Sequence, residues 1–381
     1  MDFELTQDQA MLHESIARLL KDRYSFAARN TYLDLPNGWS PNLWADYAGL
    51  GLLGLGISEE DGGFGGDGVD HMIVMRAFGA ALVMEPYLST VVLGGGILTA
   101  SGSPAQRALL STIVSGDLKL AFAHAERRAR YNLHYVETTA CRVDDGWVLD
   151  GEKIFVRHGD SAEKFIISAR INGAAADAGG LAVFLIDADT PGLSRRSLRT
   201  QDRQHSDHVL LQNLKVGDDA LLGEPGKACS VIERAADEAM AALCAEAVGC
   251  MEAAYGLTVA YLKTRQQFGV LLGSFQAVQH RTADMLVMLE LARSMMFEAA
   301  FMARHPDGVA RHRAIAMAKI QIGRSGRFIG QQAIQLHGGI GTTEEYAAIA
   351  ATADHHNALS TTLSETPERF APIFLHDAKG A

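Results

Sequence analysis

The spacing of apolar residues changes period twice along the chain, from three- and four-residue steps to alternation near Leu118, and back again near Lys227. Between residues 6 and 23, Ala10, Met11, Ile16, Ala17, Leu19 and Leu20 recur near helical spacing, and Thr6 is placed to cap the helix they define. Residues 42–48 predict a short second helix, and residues 69–115, rich in Ala, Leu and Val, predict more. Strand-like segments follow at 118–123, 138–143, 147–149, 154–156, 165–169, 181–186 and 208–211, with turns expected at Asp144-Asp145-Gly146 and at Asp150-Gly151. Past Lys227, Leu243, Ala247, Met251, Tyr255, Val259 and Leu262 form a stripe that predicts a long helix with one buried face. Residues 274–304 and 311–336 predict two more. The fold expected is a multidomain α+β chain: an N-terminal helical domain over 1–117, a central antiparallel β domain over 118–226 and a C-terminal long-helix bundle over 227–381.

The chain has 381 residues, which excludes a single small domain, and a net charge of −11. No basic run or aromatic-basic stripe is present, so a nucleic-acid surface is not expected. The four cysteines, Cys141, Cys229, Cys244 and Cys250, lack CxxC spacing, which argues against zinc and against a disulfide framework. No basic-then-apolar leader opens the sequence and no apolar run approaches the length that spans a bilayer, so a cytoplasmic setting without a membrane span is expected. The glycine cluster at residues 61–68 lies between helices and reads as a structural loop, while Gly94-Gly95-Gly96 lacks the order of a dinucleotide-binding fingerprint. Asp354-His355-His356 lacks a third ligand, and His205 and His208 beside Asp202 and Asp207 read as surface loop. The methionines of the middle long helix, Met285, Met288, Met295, Met296 and Met302, fit core or oligomer packing better than a ligand surface.

One stretch stands apart. Arg265-Gln266-Gln267-Phe268-Gly269, followed by Ser274-Phe275-Gln276, closely resembles the flavin-binding signature of acyl-CoA dehydrogenases. The resemblance continues through residues 50–66, Leu120 to Glu126, Leu149-Asp150-Gly151-Glu152-Lys153 and Gln335-Leu336-His337-Gly338-Gly339-Ile340-Gly341. Residues 242–249 and Gln279-His280-Arg281 are most similar to the small subunits of pimeloyl-CoA-type and sterol-catabolic members. The resemblance implies FAD held between subunits, in at least a homodimer. Arg265 would pair with its pyrophosphate through a fork of fixed donors. Phe268 would pack beside the dinucleotide, Gln276 and Gln335 would offer amides, and Gly338 and Gly339 would admit the cofactor closely. Phe122, His124 and Ala125 would line the isoalloxazine, with Phe155 in place of the usual Trp and Arg157 in place of the usual Thr. Arg157 would either stabilise reduced flavin or point to solvent.

The reaction implied is removal of the Cα proton of an acyl-CoA thioester by a carboxylate, with the Cβ hydride passing to flavin and then to an electron-transfer flavoprotein. The family's two positions for the base fall here on Thr362 and Ala239, neither a carboxylate. Glu238, beside Ala239, is the first candidate; read plainly, it is a solvated acid near a helix N-terminus. Glu365 is the second. The alternatives are a non-catalytic FAD- or substrate-supporting subunit that pairs with a second acyl-CoA dehydrogenase subunit, and a flavin monooxygenase on the same scaffold.

Overall fold

The computed structural model describes residues 5–200 and 203–342. They divide into two compact units, neither of them contiguous: residues 31–67 with 84–239, and residues 5–30, 68–83 and 240–342.

The opening helix, α1 (Gln7–Arg23), starts on a capping box in which Thr6 accepts from the backbone of Gln9 and the Gln9 side chain returns the bond. A helix with no clear apolar period, α2 (Phe26–Leu33), follows, and then α3 (Pro41–Gly49), α4 (Gly68–Ala81), a π-helical stretch at Leu88–Gly95 and the short α5 (Gly96–Ser101), α6 (Pro104–Arg107) and α7 (Leu110–Val114).

The sheet comprises β1 (Leu120–Ala123), β2 (Thr139–Val143), β3 (Gly146–Arg157), β4 (Lys164–Arg170), β5 (Leu181–Asp187), β6 (Leu193–Arg199), β7 (His205–Val216) and β8 (Leu221–Leu222). Its order is β6-β7-β3-β2-β4-β5-β8, with β1 beside β4. The expectation of a purely antiparallel domain needs correction, because β1 runs parallel to β4, and β2 meets β4 in parallel at Thr139 and Arg170. The β2–β3 hairpin accounts for this, since it returns the chain to β4 in the direction β1 had. Trp147 and Phe184 pack edge to face, with centroids 5.7 Å apart, in a core that includes Phe165, Ile167, Val209 and Leu214. Each such fully buried side chain contributes about 1.5–3 kcal/mol.

No turn forms at Asp150-Gly151. Strand β3 continues through it with register shifts at Leu149/Gly151 and at Lys153/Val156. Gly151 has φ +155°, and a Cβ there would lie 2.5 Å from Thr138 Oγ1, so the bulge depends on glycine. The charged edge strand β6 escaped the sequence pattern because its residues are mostly Ser and Arg, a composition that discourages edge-to-edge pairing. His205 and Asp207 are not surface loop: both are buried at the start of β7, and His205 pairs with Asp160.

In the other unit, α8 (Cys229–Thr264) begins within the sheet-bearing segment and continues through residue 264. The hairpin strands β9 (Gln266–Gln267) and β10 (Val270–Leu271) lead to α9 (Gln276–Met302) and α10 (Gly308–His337). The expected single buried face needs correction: beyond 251 the buried positions are Ala254, Thr258 and Leu262, which leaves Tyr255 and Val259 half-buried, and every residue at 241–251 is buried. Small residues allow this. A Cβ on Gly249 would lie 1.9 Å from the Arg76 carbonyl oxygen, and one on Gly79 would lie 1.9 Å from that of Glu246, so α4 and α8 touch backbone to backbone. Among the described residues α8 is the one helix long and apolar enough to cross a membrane, contrary to the sequence expectation, and 61% of its apolar window is buried. That apolar surface goes largely to packing. Met285 and Met296 of α9 are core residues.

Candidate active site

Two groups of the expected site residues take shape, one in each unit. In the sheet-bearing unit, Phe122 and His124 stack with centroids 5.3 Å apart and planes within 7°. Ala125 follows, exposed, and its carbonyl accepts from Ile154 N at 2.8 Å, which ties the end of β1 to the bulge in β3. At that bulge Phe155 takes φ +51°, a conformation costly for a bulky side chain, and the ring is 57% exposed, edge-on to His208. Two residues on, the half-buried Arg157 pairs in the ladder with Ser206.

Behind this face runs a buried polar chain that motif reading did not assemble. Lys153 Nζ donates to Glu126 Oε1 at 2.7 Å and to Ser168 Oγ at 3.0 Å, and Ser168 Oγ lies 2.9 Å from His124 Nδ1. Glu126 also accepts from Thr138 N at 3.0 Å and Thr138 Oγ1 at 2.6 Å. Burial pushes the Lys153 ammonium down to about 8, although Glu126 opposes the shift. Burial alone would raise Glu126, but the Lys153 charge and the converging donors leave its carboxyl below its usual value. Both groups are therefore ionised at neutral pH. Burial, aided by Lys153, drops His124 to about 3. The ring is neutral: Ser168 accepts from Lys153 and donates its own hydrogen to Nδ1, which leaves the hydrogen on Nε2. One signal in the sequence could have found this chain: Lys153 occupies a position that alternation from Trp147 and Leu149 assigns to the core.

The second group lies at the end of α8. Phe268 (φ +55°) and Gly269 (φ +80°) are the two central residues of the β9–β10 hairpin, the pairing of a type I′ turn. Phe268 is 91% exposed in that strained conformation, with Phe275 edge-on at 6.3 Å. Arg265 is exposed, its backbone closing the hairpin base by accepting from Leu272 N at 2.9 Å. Gln276 is the exposed first residue of α9. His337, one residue before Gly338, stacks on Tyr261, one helical turn before Arg265, at 4.5 Å. The fold thus draws the signature at the end of α8 toward the Gly338-Gly339 segment. Gln335 is exposed, Gly338 has φ +63°, and a Cβ on Gly338 or Gly339 would meet nothing within 4 Å.

An exposed guanidinium, exposed amides, open glycines and projecting aromatic rings suit a dinucleotide with a flat ring system. Glu238 lies on α8 with its side chain about nine-tenths buried and accepts from Arg234 Nε at 2.9 Å. Ala239 beside it is buried. Glu365, Thr362, Asp202 and the Asp354-His355-His356 segment lie outside the described residues.

A helical, sheet and long-helix architecture carrying these features defines a flavoprotein oxidoreductase scaffold. The chain matches the acyl-CoA dehydrogenase N-terminal domain over residues 6–117, the middle domain over 121–211 and the C-terminal domain over 229–360. It is 30% identical over 355 residues to the probable acyl-CoA dehydrogenase YngJ of Bacillus subtilis (strain 168), spanning 91% of this chain and 92% of that one. Among solved structures it resembles a variant of the Tcur3481-Tcur3483 steroid ACAD, at TM-score 0.87, 27% identity and coverage of 98% and 99%. It also resembles the "FAD complex of PigA", at TM-score 0.88, 25% identity and coverage of 100% and 99%. The chain belongs to the acyl-CoA dehydrogenase family and is an FAD-dependent oxidoreductase of acyl-CoA thioesters.

Proposed function

We propose that Phe122, His124, Ala125 and Phe155 form the face against which the flavin ring lies, and that the chain desaturates an acyl-CoA at its α,β carbons there. The observation that carries this reading is the sealed chain Glu126–Lys153–Ser168–His124, which fixes the end of β1. Packed elements of this kind hold a reacting geometry better than a free loop does. FAD, when bound, supplies the hydride acceptor. Arg265, Phe268, Gln276, Gln335, Gly338 and Gly339 hold the pyrophosphate and adenylate portions of a cofactor shared with a neighbouring copy. The exposed apolar Phe268, Val270, Leu271 and Phe275, with Leu286 and Val287 on α9, support association.

Glu238 is assigned as the base that removes the Cα proton. Its carboxylate sheds or shares the Arg234 bond as substrate enters, leaving an oxygen to take the proton. A second reading is favoured by Ala239, which lacks a carboxylate where the family places one. In that reading the chain supports FAD or substrate, and a second acyl-CoA dehydrogenase subunit brings the base. The paired name of the steroid enzyme is in keeping with such an assembly and with a branched or ring-bearing acyl group. Electron-transfer flavoprotein as oxidant and a cytoplasmic setting complete the proposal.

The test is anaerobic titration of the FAD-loaded protein with a panel of acyl-CoAs, following flavin bleaching. Bleaching by the purified chain that disappears in Glu238→Gln with FAD retained supports the first reading. Bleaching only after a partner subunit is added supports the second.

A further inference from the structure

The described residues of the sheet-bearing unit bring together one cluster that flavin chemistry does not use. His134 comes from the loop between β1 and β2, and Cys229 and Glu233 come from the first turns of α8. His134 Nε2, Cys229 Sγ and a Glu233 carboxylate oxygen all lie within 4.8 Å of one another, and His134 Nε2 is 2.8 Å from Glu233 Oε1. All three residues are half-buried.

We propose that His134, Cys229 and Glu233 form a binding site for a divalent cation of borderline softness, with Zn2+ the best match. One nitrogen, one sulfur and one oxygen donor make a set that zinc accepts, whereas magnesium and calcium prefer oxygen alone. Cys229 and Glu233 are four residues apart on one helix, the spacing that places two ligands on the same face. Their partner is held in place: the His134 carbonyl accepts from Arg170 at 2.7 Å, and the same guanidinium grips Val136 and Ala175. Tetrahedral zinc bonds of about 2.0–2.3 Å separate neighbouring ligand atoms by roughly 3.3–3.7 Å, so side-chain rotation must open the His134–Glu233 hydrogen bond by about 0.5 Å and draw in the wider separations. Three protein ligands leave a fourth position for water or a small anion.

Ionisation must balance. In the metal-free protein, burial and Glu233 push the Cys229 thiol up to about 11, so binding forms the zinc–thiolate bond and releases one proton to solvent. The bound cation joins the loop after β1 to the start of α8. Scattered spacing hid this set from the sequence, which offers no CxxC.

The test uses the FAD-loaded protein, stripped with a chelator and titrated with Zn2+ in competition with a chromophoric chelator. One site per chain is expected, tightening as pH rises. Cys229→Ser and Glu233→Gln should each weaken it by more than about tenfold, since even outer-sphere partners cost that much. Cys141→Ser, on β2, should leave it unchanged. X-ray absorption of the zinc-loaded wild type needs no variant and should show one sulfur at about 2.3 Å. Zinc surrounded by nitrogen and oxygen alone, or binding undiminished in Cys229→Ser, overturns the assignment.

Discussion

Lys153 and Glu126 meet at 2.7 Å with their side chains only 0% and 4% exposed. Removing one partner strands the other charge away from water, so Lys153→Met or Glu126→Gln should each cost about 3–5 kcal/mol in urea unfolding. The double variant should recover much of that loss. His124 loses its anchor in Lys153→Met, so the flavin absorption band should shift or broaden even in folded protein. Additive losses in the double variant would show that the pair is not coupled.

Acid should unfold the protein earlier than its carboxylates alone require. Burial holds His71 and His124 at about 3 and His158 at about 4. In the unfolded chain these rings titrate near the usual ~6.5. Below that pH the unfolded state binds protons that the native state refuses, so stability falls as pH drops toward about 4. Glu126, with its lowered carboxyl, adds loss at the acid end of the same range. Urea midpoints from pH 7.5 to 4.5 should decline steadily from about 6.5, and a flat profile down to 5 would contradict the buried neutral histidines.

Phe268→Asn relieves a left-handed conformation that asparagine tolerates and a bulky ring does not. A gain in thermal stability of up to about 1 kcal/mol is expected for the FAD-free protein. The same variant should bind FAD more weakly, by equilibrium dialysis. Equal or tighter FAD binding would detach Phe268 from the cofactor.

How much could be read beforehand varied with the kind of signal. The two changes of period correspond to real changes of architecture, because burying a helix face or a sheet face leaves its repeat in the sequence. Residues 241–251 broke the rule: the sequence shows a stripe through Leu243, Ala247 and Met251, yet with glycine and alanine at the contacts this stretch of α8 is buried on every side. Local motifs singled out Arg265, Phe268 and Gly338 as cofactor residues, and the left-handed backbone at Phe268, Gly269 and Gly338 explains why glycine stands in those motifs. The links from Glu126 to Lys153 and from His134 to Glu233 were not legible, because they join positions 27 and 99 residues apart through sheet register and loop path.

Gly249→Ala tests the backbone contact between α4 and α8. Its new methyl would occupy space 1.9 Å from the Arg76 carbonyl oxygen, and backbone cannot step aside as a side chain can. A loss of about 3 kcal/mol or failure to accumulate soluble protein is expected. Gly256→Ala, on the same helix with nothing within 4 Å, should be neutral or slightly stabilising, by up to about 1 kcal/mol.

The interleaved make-up of the units bears on how the protein is born. The unit that holds α1 and α4 is completed only by residues from 240 onward. At synthesis rates of ~5–20 residues per second, α4 leaves the ribosome roughly ten to forty-five seconds before α8 and α9 are complete to cover it. The sheet-bearing unit finishes emerging within that wait. A nascent chain in which residue 239 has just cleared the ribosome therefore carries a complete sheet and, separately, helices with uncovered apolar faces, a species on which a chaperone would act.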